Sequence, residues 1–169
     1  MKVKETKIDE VWLIELDPFV DQRGQFVEIF NKKNYYDLLK WDSINFVQDD
    51  ISVSRKNVLR GIHGDGITYK LVTCLHGSFY VVVVNCDEKS DQYFKWESHI
   101  LSDKNMHQLL VSPKRGMGIV ALEENSVFHY KQSQYYKGMK AQFTYKWNND
   151  LMNISWPIKE PILSERDSA

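Results

Sequence analysis

Apolar residues recur along this chain in short runs of about four to eight positions bounded by turn residues, which is the pattern of strands. Val11-Trp12-Leu13-Ile14-Glu15-Leu16 is stopped by Asp17-Pro18, and the turn Asp21-Gln22-Arg23-Gly24 leads into a strand predicted over Phe26–Phe30. Further strands are predicted over 46–54, 58–63, 69–75, 79–85, 93–101, 108–111, 118–122, 127–131 and 142–147, with a turn at His76-Gly77-Ser78. The one helical pattern runs from Asn31 to Lys40; Asn31 can cap it, and Tyr35, Leu38 and Leu39 share a face. No alternation of strand and helix, internal repeat, low-complexity tract or linker interrupts the series. It therefore predicts one all-β domain over residues 1–169, a double-sheet jelly-roll barrel with one or two short helices. The tail from Trp156-Pro157 onward is polar and Pro-punctuated and is expected to run along the barrel surface.

Composition narrows the function classes. The 169 residues are 43% hydrophobic and 27% charged with only 8 Gly and 4 Pro, the make-up of a globular chain with a sizeable core. A formal net charge of -1 leaves no basic stripe for nucleic acid. The longest apolar run, Phe79 to Val84, is too short to cross a bilayer, and the charged start Met1-Lys2-Val3-Lys4-Glu5 leads into no apolar signal segment. Cys74 and Cys86 fit no metal or redox spacing and read as reduced core residues. A soluble cytoplasmic protein with no nucleic-acid or membrane partner is expected. Aromatic residues, at 13%, suit strands and also sites that stack planar ligands.

The chemistry-bearing residues are sparse. Phosphate-binding glycine loops, a nucleophile elbow and a zinc-ligand pair are all absent from the sequence. His63 and Asp65 alone make a poor metal site, because transition metals gather three or four ligands, so no metal is expected and a metal-dependent dioxygenase barrel is the weakest candidate. Asn57-Val58-Leu59-Arg60-Gly61-Ile62-His63 is the most informative stretch. On an uninterrupted strand, Arg60 and His63 point to opposite sides, unless Gly61 bends it.

An ordered series of segments resembles the nucleotide-sugar 3,5-epimerases typified by dTDP-4-dehydrorhamnose 3,5-epimerase. It runs through Phe19 to Glu28, Phe46-Val47-Gln48-Asp49, Asn57 to His63, Lys70-Leu71-Val72, Tyr130-Lys131, Tyr135-Tyr136, Trp147-Asn148, Ile154-Ser155-Trp156-Pro157 and Leu163 to Asp167. The resemblance covers residues 10–167 and implies a cupin-type jelly roll that acts on a nucleotide-linked 4-keto sugar without a cofactor. The variant His63-Gly64-Asp65 with Thr68-Tyr69-Lys70 and Gln142-Phe143-Thr144-Tyr145 looks like the branch serving surface polysaccharides, which includes GDP-linked 4-keto-heptose epimerases as well as dTDP-hexose enzymes.

A C4 ketone acidifies the hydrogens on C3 and C5. Inverting either carbon needs a base on one face of the ring, an acid on the other, and a donor for the enolate oxygen. By resemblance, His63 is the base, Asp167 the carboxylate that supports its imidazolium, Lys70 the enolate partner and Tyr130 the acid. Arg60 matches a diphosphate or substrate ligand, Gln48 a substrate-pocket position and Tyr136 a substrate-binding one. Arg23, Phe26 and Glu28 match contacts to the nucleotide base made from the neighbouring subunit, so the resemblance implies a homodimer with shared sites. The chain departs from the family at Ile119 (or Met117), where a histidine is usual. It departs also at Val81 and Asn85, usually acidic, and at Asp87, where a basic residue is common. These departures bear on which carbon is inverted. The alternatives carried are a silent sugar-nucleotide-binding barrel or partner subunit, and a 3,4-ketoisomerase.

Overall fold

The run from Phe79 to Val84 is apolar at every position because both of its faces are covered. In the computed structural model, which describes residues 1–39 and 44–168, that run forms the middle of a β-barrel made of two antiparallel sheets. In chain order the elements are β1 (Lys2–Glu5), β2 (Val11–Glu15), β3 (Phe19–Asp21), β4 (Gly24–Phe26), α1 (Lys32–Leu39), β5 (Gln48–Ser54), β6 (Leu59–Gly64) and β7 (Lys70–His76). They continue as β8 (Ser78–Asn85), β9 (Trp96–Ser102), β10 (His107–Val111), β11 (Arg115–Ala121), β12 (Ser126–Gln132), β13 (Phe143–Thr144) and α2 (Glu165–Ser168). The first sheet has the order β1-β2-β10-β7-β12-β5 and the second β13-β6-β11-β8-β9, while β3 and β4 form a separate ribbon. This is the expected all-β jelly roll of the cupin type.

Strand alternation sorts the apolar side chains into three layers. Val81 and Val83 face inward with Val72, Leu101, Leu109 and Phe128 to form the core between the sheets, where the Phe79 and Phe128 rings meet edge to face at 5.0 Å. Val82 and Val84 face outward and are covered by Phe143, Tyr145 and Trp156 from the C-terminal segment. On the outside of the first sheet, Tyr35 of α1 packs with Ile14, Leu71 and Leu110. Full burial of each such side chain stabilises the fold by roughly 1.5–3 kcal/mol.

Two predicted strands shrink, and the reason is the same in both. Of Phe26–Phe30 only Phe26 is in a ladder; Val27, Ile29 and Phe30 pack under α1 without a partner strand. Of 142–147 only Phe143–Thr144 forms β13, although Phe143 and Tyr145 are partly buried in the outer layer. Alternating apolar residues report a buried face, and they say nothing of a hydrogen-bonded neighbour. The helix begins as expected: the Asn31 side-chain oxygen accepts the Lys33 backbone N–H at 3.2 Å. Tyr35 is buried, whereas the side chains of Leu38 and Leu39 and all of Lys40 lie outside the described residues. The tail is not purely superficial, since Ile162 bridges Val58 in parallel and Asp167 is buried. Among the described residues no helix is long and apolar enough to cross a membrane.

Candidate active site

Two residues of β6, Gly61 and Ile62, lie opposite the single Gly118 of β11, because the register slips between Met117–His63 and Ile119–Arg60. This is a β-bulge, and it needs glycine. Gly61 has φ of +128°, and a Cβ there would stand 2.5 Å from the Gly118 Cα and 2.6 Å from the Met117 carbonyl oxygen. The bulge is the bend at Gly61 that the sequence allows: Arg60 and His63, three residues apart, both line one cavity of about 580 Å³ between the sheets.

His63 meets Asp167 there, with Nε2 2.6 Å from Oδ1 and the two side chains 19% and 3% exposed. The approach lies off the ring N–H direction, so it is a close contact and not an aligned hydrogen bond. Asp167 is held from three sides. Ser164 Oγ donates to Oδ2 at 2.8 Å and accepts the Asp167 N–H, closing the short helix α2, and the Gly61 N–H donates to Oδ1 at 3.4 Å. Burial works to raise the Asp167 carboxyl pKa, but His63, Ser164 and Gly61 outweigh it and hold it below the usual carboxylate value. A persistent anion behind an imidazole favours its protonated form once a proton has been taken.

The opposite wall carries the other two expected groups. Lys70 opens β7 and Tyr130 is in β12, both in the first sheet, whereas His63 belongs to the second. Burial pushes the Lys70 ammonium pKa down, with the charges of Asp65 and Asp50 opposing. Burial, and after it the Asp50 charge, pushes the Tyr130 hydroxyl up, so it stays a proton donor. The arrangement thus places an imidazole and a protonated phenol on facing walls, with the Lys70 amino group on the same wall as the phenol.

The remaining expected residues fall into three groups. Arg60 and Tyr136 line the cavity, and Arg60 Nε donates to Ser54 Oγ at 3.3 Å. Gln48 stands one layer behind, where its side-chain oxygen accepts the Tyr136 backbone N–H at 2.8 Å. Arg23, Phe26 and Glu28 do not reach this cavity within one chain. Arg23 pairs with Asp21 at 2.6 Å on the β3–β4 ribbon, Phe26 is 75% exposed, and Glu28 accepts the Asn31 and Asn34 side-chain amides near the start of α1. Among the described residues no group of three His, Cys, Asp or Glu side chains is gathered as metal ligands.

Sequence reading missed Arg166, Gln132 and Ser52, which also line the cavity. Arg166 is oriented by Thr144 and Gln142, whose oxygens accept its guanidinium at 2.6 and 3.2 Å. Ser52 and Gln132 were readable only as inward positions of β5 and β12 once strand register was known. Ile119 lines the cavity with Met117 and Phe128, which gives it an apolar floor continuous with the core. Val81, next to Ile119 in register, is core; Asn85 and Asp87 serve the turn after β8, where Asp87 pairs with Lys114 at 3.1 Å.

The profile of the family described as dTDP-4-dehydrorhamnose 3,5-epimerase matches residues 5–169. The enzyme of that name from Escherichia coli K12 is 36% identical over 171 residues, which span 99% of this chain and 91% of the relative. Its counterpart from Salmonella typhimurium LT2 is 35% identical over all of this chain and 93% of the relative. Among solved structures, the dTDP-6-deoxy-D-glucose-3,5-epimerase of Legionella pneumophila Philadelphia 1, in complex with dTDP-4-keto-L-rhamnose, superimposes with a TM-score of 0.92. It is 34% identical, covering 99% of this chain and 89% of its own. An epimerase of Mycobacterium tuberculosis gives a TM-score of 0.93 at 31% identity, covering 100% and 86%.

Proposed function

This chain belongs to the dTDP-4-dehydrorhamnose 3,5-epimerase family and is an isomerase, and on that premise we propose that it inverts C3, C5 or both in a dTDP-linked 4-keto-6-deoxy sugar. The observation that carries the reading is the pair of facing walls: His63 backed by Asp167 on one, Tyr130 and Lys70 on the other.

The chemistry follows from where each proton sits. A sugar ring lying between the sheets presents one face to His63, which removes the hydrogen from the carbon beside the ketone. Asp167 stabilises the imidazolium so formed. Charge moves to the C4 oxygen, where the Lys70 ammonium, desolvated and therefore strongly felt, stabilises the enolate. Tyr130, kept protonated by its burial, returns a proton from the other face, and the carbon is inverted. Neither step needs an oxidant or an added group, because the same carbon loses and regains one proton. Arg60 and Arg166 at the cavity are suited to the diphosphate by their forked donors.

The β3–β4 ribbon joins neither large sheet and exposes Phe19, Val20 and Phe26 at 64%, 69% and 75%. It fits a homodimer in which Arg23, Phe26 and Glu28 serve the nucleotide of a neighbouring copy's site.

Incubation with dTDP-4-keto-6-deoxyglucose and its GDP-linked counterpart, with product configuration read from proton couplings, tests the proposal. The expected product has an inverted centre at C3, C5 or both from the dTDP sugar. A GDP preference would reassign the nucleotide. A carbonyl moved to C3 would indicate a ketoisomerase, and unchanged sugar with measurable binding a silent barrel; either would overturn the proposal.

A further inference from the structure

Behind the cavity wall lies a second layer of side chains that the proton transfers do not use. In the β5–β12 ladder, Asp50 is directly opposite Tyr130 and Gln48 directly opposite Gln132. Asp50 Oδ2 accepts from Gln48 Nε2 at 2.8 Å and from Gln132 Nε2 at 2.9 Å. An ionised carboxylate only accepts, so both glutamines must turn their NH₂ groups toward it and their carbonyl oxygens away. For Gln48 the freed oxygen accepts the Tyr136 N–H. For Gln132, which is 3% exposed and lines the cavity, no protein donor among the described residues meets the freed oxygen.

We propose that Gln132 is a specificity-determining residue whose orientation Asp50 sets: it offers its carbonyl oxygen to a hydroxyl of the substrate sugar. The same carboxylate, acting through Gln48, anchors the segment that carries Tyr136 to the cavity edge. The oxygen is not among the fully buried unpaired atoms of the described residues and so opens to the cavity. A bound sugar that covers this acceptor of fixed direction without offering a donor leaves it unpaired and is rejected. Asp50 itself touches no substrate and is a positioning residue. The assignment of a sugar to this cavity rests on the function proposed above.

Variants of Gln132 and Asp50 test this, and those read by turnover keep shape. Gln132→Met should lower kcat/KM for the dTDP-4-keto-6-deoxy sugar about tenfold while dTDP affinity stays unchanged, and should narrow the preference over a 2-deoxy or 3-deoxy analogue. Asp50→Asn, which can present an NH₂ and let the Gln132 amide turn, should act in the same direction. The double variant should be no worse than Gln132→Met alone. Unchanged kcat/KM in Gln132→Met, an equal loss of dTDP affinity, or additive effects in the double variant would overturn the proposal. Backbone hydrogen exchange gives a readout independent of turnover: Asp50→Ala should speed exchange over residues 133–142, and protection equal to wild type would remove Asp50 as the anchor. If wild-type protein enolises no nucleotide-linked sugar, the functional reading fails while this exchange measurement still decides the role of Asp50.

Discussion

Two histidine–carboxylate pairs of this barrel resemble each other closely. His63 and His99 are 19% and 18% exposed, and their partners Asp167 and Glu97 are 3% and 8% exposed. In both, burial works to raise the carboxyl pKa, and the neighbouring histidine together with hydrogen-bond donors outweighs it, leaving both carboxyls below their ordinary values. The differences lie around them. His99 stands 3.5 Å from Glu97, whose oxygen also accepts the Lys7 backbone N–H at 3.0 Å, so that pair fastens the N-terminal segment to β9. His63 stands 2.6 Å from Asp167 and borders a cavity of about 580 Å³ that also holds Lys70 and Tyr130, while His99 does not line it. A histidine beside a carboxylate is therefore not yet a site. Room for a ligand, and a phenol on the far wall, single out His63 as the candidate.

The comparison breaks most visibly if the carboxylates are neutralised one at a time. Asp167→Asn should lower kcat by about 10²–10³-fold with KM little changed, since in the proposed mechanism it supports the imidazolium only after proton transfer. Glu97→Gln should leave kcat within about twofold and act on stability instead. Equal effects on kcat would mean that the cavity does not distinguish the pairs. Next in size, Tyr130→Phe should cut inversion by about 10²-fold and leave proton abstraction by His63 in place. Normal inverted product would show that another group is the acid.

Both pairs should behave alike in acid. A carboxyl whose folded pKa lies below its unfolded one stabilises the fold above the unfolded value, about 4, and that contribution is lost as pH falls through the lower folded value. The melting temperature should accordingly drop below about pH 4, and either Asp167→Asn or Glu97→Gln should make that drop shallower. A steeper acid drop in the variants would contradict the sign. The smallest effect is expected at Ile119, 5% exposed on the cavity floor. Ile119→His should change the ratio of C3 to C5 inversion with less than about tenfold loss of rate, and an unchanged ratio would dismiss the position as a determinant of regiochemistry.

Much of the barrel was legible in the residues, because a strand with one buried face alternates and the doubly covered β8 does not. Partnering was not legible, which is why 26–30 and 142–147 read as longer strands than they are. The candidate site divides in the same way. His63, Lys70, Tyr130 and Asp167 are legible only through resemblance, since periodicity gives a residue near the C-terminus, such as the buried Asp167, no reason to enter the core. The bulge at Gly61 that aligns Arg60 with His63 depends on a close approach to Gly118, a contact between distant segments that no local pattern records. Arg166, Gln132 and the Asp50 layer were invisible for the same reason: their roles are set by cross-strand register, and sequence spacing does not carry it.

The most direct measurement is proton NMR in D₂O of a dTDP-linked 4-keto-6-deoxy sugar with wild-type protein, His63→Ala and His99→Ala side by side. Wild type and His99→Ala should erase the C3 signal, the C5 signal or both, while His63→Ala binds dTDP and leaves every ring signal intact. Exchange that survives in His63→Ala, or disappears in His99→Ala, would contradict the assignment of His63 as the base.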